Sequence, residues 1–330
     1  MTLSEGMDKK MNKRLLDYTP KEILQLDKSA YLDGVRASEG RTVGAFMSPS
    51  LPNMIDKVSN LEACAAFGAD IIYLEYYDVN NIQMPGLPSK NPKDDSVCDT
   101  MRLQLGKGWS VEDLKALVGR PIGTGVLVPR DEHEYSSGLA STLRFSKELI
   151  LSIKESGFTH VMIAGDHQES ILRAVEQTAE WIGDSVIIES GILHGPGYID
   201  EHYPVSYNLR DISSSEFVSK LAKAGADVIL VPAAGVTPCI TPDYVTDLVT
   251  AIHEENVLAS AAVVQSIESA GTVTAQTIAT TNKMCGIDIF YAGAGGLNAS
   301  MPQPEFLQAL SIAVRGKRNT YRVMCQSPMR

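Results

Sequence analysis

Short, nearly continuous runs of apolar residues alternate along this chain with segments whose apolar positions recur at helical spacing. Uninterrupted apolar runs are typical of strands that helices cover on both faces of a parallel sheet. Eight such runs are present, at residues 41–47, 70–76, 121–128, 160–164, 185–190, 227–231, 257–264 and 287–291. A helical segment follows each run, so the pattern predicts an α/β fold, the (β/α)8 TIM barrel.

The main alternative to a barrel is an open doubly wound sheet. That fold commonly carries a Gly-x-Gly-x-x-Gly turn after its first strand. Residues 47–52 read Met-Ser-Pro-Ser-Leu-Pro and do not have that pattern. No linker or low-complexity stretch separates the strand–helix units, so we predict that residues 41–330 form a single barrel domain.

Residues 1–40 precede the first predicted strand and have a helical pattern of their own. Thr19 followed by Pro20 is a typical helix start, with threonine as the cap and proline in the first turn. Apolar positions from Leu15 to Leu24 favour one buried face. We therefore predict an N-terminal helical extension that covers the bottom of the barrel.

Composition and charge narrow the function classes. The 330 residues carry a net charge of −11, whereas proteins that bind nucleic acid usually present a basic face. No apolar stretch is long enough to cross a bilayer, and the first residues lack the apolar core of a signal peptide. The five cysteines are widely spaced, which argues against a disulfide framework or a zinc knuckle. We expect a cytoplasmic protein with neither a nucleic-acid nor a membrane partner.

The densest group of basic residues lies near the end of the chain, at Arg315, Lys317, Arg318 and Arg322. Such a group at the end of a predicted helix is typical of a solvated surface. We interpret it as a solvated helix end, with a partner site as the alternative.

Two of the predicted strand-to-helix loops are unusually long, at residues 77–108 and 193–213. In a barrel these loops lie at the carboxyl ends of the strands, where active sites are built. Long loops in a compact fold often act as lids over a ligand. The alternative is a contact between copies of the chain, in keeping with an expected homo-oligomer.

Glycines concentrate in the loops after the last two predicted strands. Glycine lets backbone N–H groups approach an anion, and loops seven and eight often form the phosphate site of a barrel. We predict a site for the phosphate group of a small-molecule ligand at Ser269, Gly271, Thr272, Gly293, Gly295 and Gly296. The alternative is a tight turn between strand and helix, without a ligand.

These two loops resemble those of the ribulose-phosphate-binding group of phosphate-binding TIM barrels. Three further stretches are similar to the BtpA/SgcQ family: Gly-Ala-Asp-Ile-Ile-Tyr-Leu-Glu at 68–75, Arg-Pro-Ile-Gly-Thr-Gly-Val-Leu-Val at 120–128 and Gly-Ala-Asp-Val-Ile-Leu-Val at 225–231. The resemblance implies a barrel fold and a phosphorylated ligand, and it implies no particular reaction. The loop after strand eight is richer in glycine than is typical of that family, and the loop after strand two is longer.

Acidic residues and histidines lie where several predicted strands end. Carboxylates inside apolar strands need partners, and we expect those partners at the top rim of the barrel. We predict acid–base catalysis by Glu75, Asp166, His167 and Glu189. Rim residues that cap the following helices are the alternative. Glu268 follows strand seven and receives no assigned role.

The same rim offers ligands for a divalent cation, the one cofactor that the sequence suggests. Carboxylates together with a histidine suit Mg²⁺, Mn²⁺ or Zn²⁺. The predicted ligands are Glu75, Glu189 and His194. Proton transfer without a metal is the alternative.

Two reaction classes are disfavoured. No predicted strand contains a lysine, which argues against a Schiff-base aldolase, and no Gly-x-Ser-x-Gly motif is present. Acid–base groups beside a phosphate site favour an enzyme acting on a sugar-phosphate-like metabolite, as an isomerase, an epimerase or a lyase. The alternatives are a metal-dependent hydrolase and a non-catalytic ligand-binding or assembly protein on a barrel scaffold.

Overall fold

The eight predicted strands close into a barrel. A computed structural model describes residues 13–75, 77–78, 82–95, 103–129, 143–165, 167–192, 213–264, 267–295 and 297–330. Every strand pairs in parallel with the next, and β8 pairs with β1. The strands are β1 (Thr42–Met47), β2 (Ile71–Leu74), β3 (Ile122–Val128), β4 (His160–Gly165), β5 (Ile187–Ile192), β6 (Val228–Pro232), β7 (Leu258–Val263) and β8 (Ile289–Ala292). The predicted (β/α)8 TIM barrel is confirmed.

In the part of the N-terminal extension that the structure describes, a short 3-10 turn, Leu15–Asp17, precedes two α-helices, α1 (Pro20–Leu24) and α2 (Lys28–Ala37). Thr19 caps α1, and its own N–H donates to the Glu22 carboxylate, which completes a capping box. Tyr31 of α2 packs edge-on against the ring of His160, with ring centroids 5.0 Å apart. Because His160 begins β4, this contact lies at the amino-terminal end of the strands, so α2 covers the bottom of the barrel.

A helix follows each strand and packs on the outside of the barrel. These helices are α3 (Asn60–Ala66), α4 (Val111–Val118), α5 (Lys147–Glu155), α6 (Gln168–Ile182), α7 (Ser215–Lys223), α8 (Pro242–Glu254), α9 (Thr272–Met284) and α10 (Pro304–Cys325). Within the described residues, no helix combines the length and the apolar character that a membrane span requires.

Two tyrosines fill the middle of the barrel interior. Tyr73 of β2 and Tyr291 of β8 are buried, and their rings meet edge to face with centroids 5.5 Å apart. Glycines make room for both rings, because a Cβ at Gly44 would overlap the Tyr291 ring and one at Gly123 would lie 2.6 Å from the Tyr73 ring. The two rings therefore close the middle of the barrel, and open space lies above them, at the carboxyl ends of the strands.

The basic residues near the end of the chain do not share one environment. Arg315 is buried, and its guanidinium donates to the Asp70 carboxylate, to the Gly68 carbonyl and to the Ser311 hydroxyl. The other basic residues of the group are exposed. The interpretation as a solvated helix end is therefore wrong for Arg315, which fastens α10 to the turn before β2.

Candidate functional site

A pocket opens at the carboxyl-terminal mouth of the barrel, above the interior tyrosines. Its volume is about 90 Å³, which suits a small fragment of a ligand. Most of its wall is apolar and comes from the ends of β1, β4, β6 and β7, with contributions from Phe46, Met162, Leu230, Ala262 and Val264. Glu75 and Thr237 add polar groups to this wall. The pocket thus combines an apolar wall with one carboxyl group.

Glu75 follows directly after β2, and the strand ladder fixes its backbone through a hydrogen bond from its N–H to the Met47 carbonyl at 2.8 Å. Burial and, to a smaller extent, the negative charge of Glu268 together raise the pKa of Glu75 from 4.5 to about 7. A carboxyl group with this pKa exists in both protonation states at neutral pH, so it can donate a proton or accept one.

Glu268 is a second buried glutamate at the same end of the barrel as Glu75. It lies in a short 3-10 turn, Ile267–Ser269, just beyond β7, and it is only 7% exposed. Its carboxyl group rests against Gly295, at a place where a Cβ on that glycine would overlap it. The prediction of site residues did not include Glu268. The sequence did contain a signal for it, because Glu268 follows directly after a predicted strand, as the predicted rim residues do.

The loop after β8 is closely packed. The N–H of Gly293 donates to the Val263 carbonyl at 2.9 Å, so this group is already occupied. The Glu268 carboxyl group packs against the backbone of Gly295. A negatively charged carboxylate at this place would repel a phosphate. Gly296 lies outside the described residues. These contacts favour the alternative of a tight turn for the glycines of this loop.

The start of α9 is more open. The helices after strands one to six each have an N-cap side chain that accepts a backbone hydrogen bond. Before α9 this position belongs to Gly271, with φ at 94°, and no side chain caps the helix. Thr272 is exposed, and Ser269 ends the 3-10 turn just upstream. The first N–H groups of α9 therefore have no side-chain acceptor at the N-cap, the arrangement in which helix starts bind anions.

Glu189 lies inside the barrel and not at its rim. Its carboxylate accepts hydrogen bonds from the hydroxyl groups of Tyr73 at 2.9 Å, Tyr291 at 2.8 Å and Ser260. The expectation that its partners lie at the rim is wrong, because the three strands that face β5 across the interior supply them. Burial raises the pKa of Glu189, and the three hydroxyl groups oppose that shift.

The remaining predicted residues are only partly described. His167 caps α6, and its Nδ1 lies 3.0 Å from the Ser170 hydroxyl, in agreement with the capping alternative. Asp166 and His194 lie outside the described residues. The predicted metal ligands Glu75 and Glu189 occupy different levels of the barrel. In the described part of the chain, no three histidine, cysteine, aspartate or glutamate side chains come close enough to hold a metal ion.

Comparisons with solved structures return barrel proteins of low similarity. The YdjI aldolase from Escherichia coli K12 is 13% identical, with a TM-score of 0.45 over 91% of this chain and 97% of that one. A candidate fructose-1,6-biphosphate aldolase from Coccidioides immitis is 11% identical, with a TM-score of 0.46 over 90% of this chain and 95% of that one. At these values the two structures carry no information about activity. No curated protein matches the sequence.

One protein family matches nearly the whole chain. The match covers residues 16–330 and so includes all eight strands and the rim residues. Membership of the BtpA/SgcQ family stays a prediction. By the extent of this match, the chain belongs to the family described as a domain of unknown function, DUF7916.

Proposed function

We propose that this protein is an enzyme that transfers a proton on a small phosphorylated metabolite bound at the carboxyl-terminal mouth of the barrel. Glu75 is the group that transfers the proton, and the start of α9 binds the phosphate. Isomerases, epimerases and lyases that form a carbanion beside a carbonyl group fit this site, because their chemistry needs an acid or a base and no nucleophile.

The observation that carries the proposal is the setting of Glu75. It lines an apolar pocket at the face where barrel enzymes build their active sites. Its pKa near 7 comes first from burial and then from a second carboxylate. A non-catalytic ligand-binding protein would be expected to neutralise such a rim carboxylate with a cation, and no basic side chain in the described part of the chain contributes to the pKa of Glu75. The setting of Glu75 therefore favours catalysis over passive binding.

Three arguments support a phosphate at the start of α9. The helix begins without a side-chain cap, so its positive end is available to an anion. It follows β7, and the loops after strands seven and eight are the usual phosphate site of barrels. The resemblance to ribulose-phosphate-binding barrels implies the same ligand group. Ser269, Gly271 and Thr272 are the proposed contacts.

Thermal unfolding with phosphate esters tests the binding half of the proposal. A ligand that binds the native state alone raises the unfolding free energy by about 2.7 kcal/mol at a hundred times its dissociation constant. Thr272→Asp should abolish the stabilisation, because it places a carboxylate at the proposed phosphate position. The variant should still fold, since an acidic residue in the first turn favours a helix.

Thr280→Asp is the matched control, because it adds the same charge at an exposed position further along α9. It should leave the response to ligand unchanged. If no phosphate ester stabilises the wild type at millimolar concentration, the phosphate part of the proposal is wrong.

Hydrogen–deuterium exchange into a bound ligand tests the proton transfer. In D₂O, removal and return of a proton on carbon replaces a C–H signal of the ligand in its ¹H NMR spectrum. Glu75→Gln should slow this exchange by about 100-fold or more while ligand binding persists. Exchange at the wild-type rate in the variant would exclude Glu75 as the group that transfers the proton. Binding without exchange in the wild type would favour the non-catalytic alternative.

A further inference from the structure

Four of the residues that line the mouth pocket also pack into the barrel interior. They belong to the same buried cluster as the rings of Tyr73 and Tyr291, and each is at most 9% exposed. We call these residues the floor of the pocket: Phe46, Met162, Leu230 and Ala262. Their side chains are aromatic, thioether or aliphatic, so the floor offers a ligand dispersion contacts and no strong hydrogen-bonding group.

The hydroxyl groups of the barrel interior next to this floor are already engaged. Those of Tyr73, Tyr291 and Ser260 all donate to the Glu189 carboxylate. A ligand hydroxyl group placed on the floor would therefore give up its hydrogen bonds to water and gain no donor from these residues. Such a loss disfavours the binding of hydroxylated carbon atoms at this place.

The two polar side chains of the pocket lie on opposite sides of the barrel mouth. Glu75 follows β2 and Thr237 follows β6, and these strands are four places apart in either direction around the closed barrel. A ligand whose polar atoms contact either side chain places its remaining carbon atoms over the floor. Because an apolar cavity of about 150 Å³ holds benzene, a pocket of about 90 Å³ suits a chain of roughly three or four carbon atoms.

We propose that the floor of the mouth pocket binds a short saturated hydrocarbon group of the ligand. This inference deepens the proposed function and rests on it for the phosphate group. It narrows the substrate class to phosphorylated carbonyl compounds that end in an alkyl group. Sugar phosphates with a hydroxyl group on every carbon atom do not fit this floor.

Two phosphate esters that differ only in hydroxylation test this specificity. n-Propyl phosphate and glycerol 3-phosphate share a three-carbon chain, and the second ester carries two additional hydroxyl groups. Titrations followed by NMR of ¹³C-labelled methyl groups should shift the signals of Met162 and Leu230. n-Propyl phosphate should bind at least about tenfold more tightly, because the floor favours CH₂ groups and leaves hydroxyl groups unpaired. Equal affinities, or tighter binding of glycerol 3-phosphate, would overturn the proposal.

Xenon tests the floor without any phosphate, because it binds in apolar cavities. It should shift the same two methyl signals in the wild type. Ala262→Val extends a floor side chain into the pocket, so it should abolish the xenon shifts and the advantage of n-propyl phosphate. Ala66→Val, at an exposed position of α3, is the matched control and should leave both results unchanged.

The xenon and ester results separate this inference from the proposed function. If xenon shifts the floor signals and neither ester binds, the phosphate part of the proposed function is wrong and the apolar floor is supported. If xenon leaves the two methyl signals of the wild type unshifted, the inference is wrong. Xenon shifts that persist in Ala262→Val would also refute it, because the xenon would then lie elsewhere.

Discussion

At the scale of single residues, burial has opposite consequences for two glutamates of the same barrel. Glu189 is surrounded by hydroxyl groups that donate to both of its oxygens, so its burial is offset by hydrogen bonds. Glu75 lines an apolar pocket, and burial and the negative charge of Glu268 both raise its pKa. Hydrogen bonds therefore tie the first residue into the core, whereas the second has a pKa raised to about 7.

Replacing Glu75 by glutamine should stabilise the protein at alkaline pH. Because the pKa of Glu75 is raised from 4.5 to about 7, the folded protein holds this proton more tightly than the unfolded chain does. Stability is therefore lost as the pH rises through 7, and the difference vanishes below 4.5. Urea unfolding at pH 8 should show the variant more stable by up to roughly 3 kcal/mol.

Glu254→Gln, at an exposed position of α8, is the control for losing a surface carboxylate. The gain of the Glu75 variant should shrink steadily between pH 8 and pH 5. An equal difference in unfolding free energy at both pH values would contradict a titrating Glu75, because it would mean that the substitution changes packing alone.

Truncating Glu189 should be far more costly than removing one of its donors. Glu189→Ala leaves a cavity and three buried hydroxyl groups without their acceptor, so we expect a loss of about 3–5 kcal/mol in unfolding free energy. Tyr73→Phe removes one donor of three and should cost about 1–2 kcal/mol. Tyr321→Phe, at an exposed position, is the control. A loss for Glu189→Ala no larger than that for Tyr73→Phe would argue against the network as a unit.

At the scale of elements, the strands could be predicted from the sequence because their signal is local. The predicted run 70–76 contains β2 (Ile71–Leu74), and 257–264 contains β7 (Leu258–Val263). Burial on both faces makes these runs apolar throughout, and this shows in any short window. The helix start at Thr19 was predictable for the same reason, since capping depends on neighbouring residues.

The side-chain pairings between distant parts of the chain had no local signal. Glu189 and Tyr73 are 116 residues apart, and Arg315 and Asp70 are 245 apart. The barrel brings such residues together through register and side-chain direction, which a single sequence does not specify. For this reason the predicted rim location of the Glu189 partners and the interpretation of Arg315 as solvated were wrong. The location of Glu75 was predictable, because it lies at the end of a strand that the sequence pattern shows.

The burial of Arg315 leads to a prediction about how α10 is attached. Its guanidinium lies 2.5 Å from the Asp70 carboxylate, and the same carboxylate accepts the Val43 N–H at 2.9 Å. Arg315→Leu would leave Asp70 as a buried charge without its cation, so urea unfolding should show a loss of about 3–5 kcal/mol. Arg318→Leu, at an exposed position of the same helix, should change stability by less than about 0.5 kcal/mol. Similar losses for both variants would refute the ion pair as the attachment of α10.

At the scale of the whole molecule, the barrel interior has two levels with different tasks. The lower level is closed by α2 and filled by the tyrosine rings that donate to Glu189. The upper level is the pocket, which Phe46 lines while its ring also contacts the two tyrosine rings. A rigid lower level gives the pocket a fixed floor, and this level depends on glycines in the strands.

The packing of the lower level depends most strongly on Gly44. This residue pairs with Tyr291 where β1 and β8 close the barrel. A Cβ at Gly44 would overlap the Tyr291 ring, which is buried and held to Glu189 by its hydroxyl group. Because the ring is fully buried, Gly44→Ala should lower the unfolding free energy by about 1–3 kcal/mol. Gly125→Ala is the matched control, since a Cβ on that strand glycine meets nothing within 4 Å. The control should be neutral or slightly stabilising through the unfolded chain. If both substitutions changed the unfolding free energy equally, the glycines would act through backbone conformation alone. The packing of the Tyr291 ring against Gly44 would then not limit closure of the barrel.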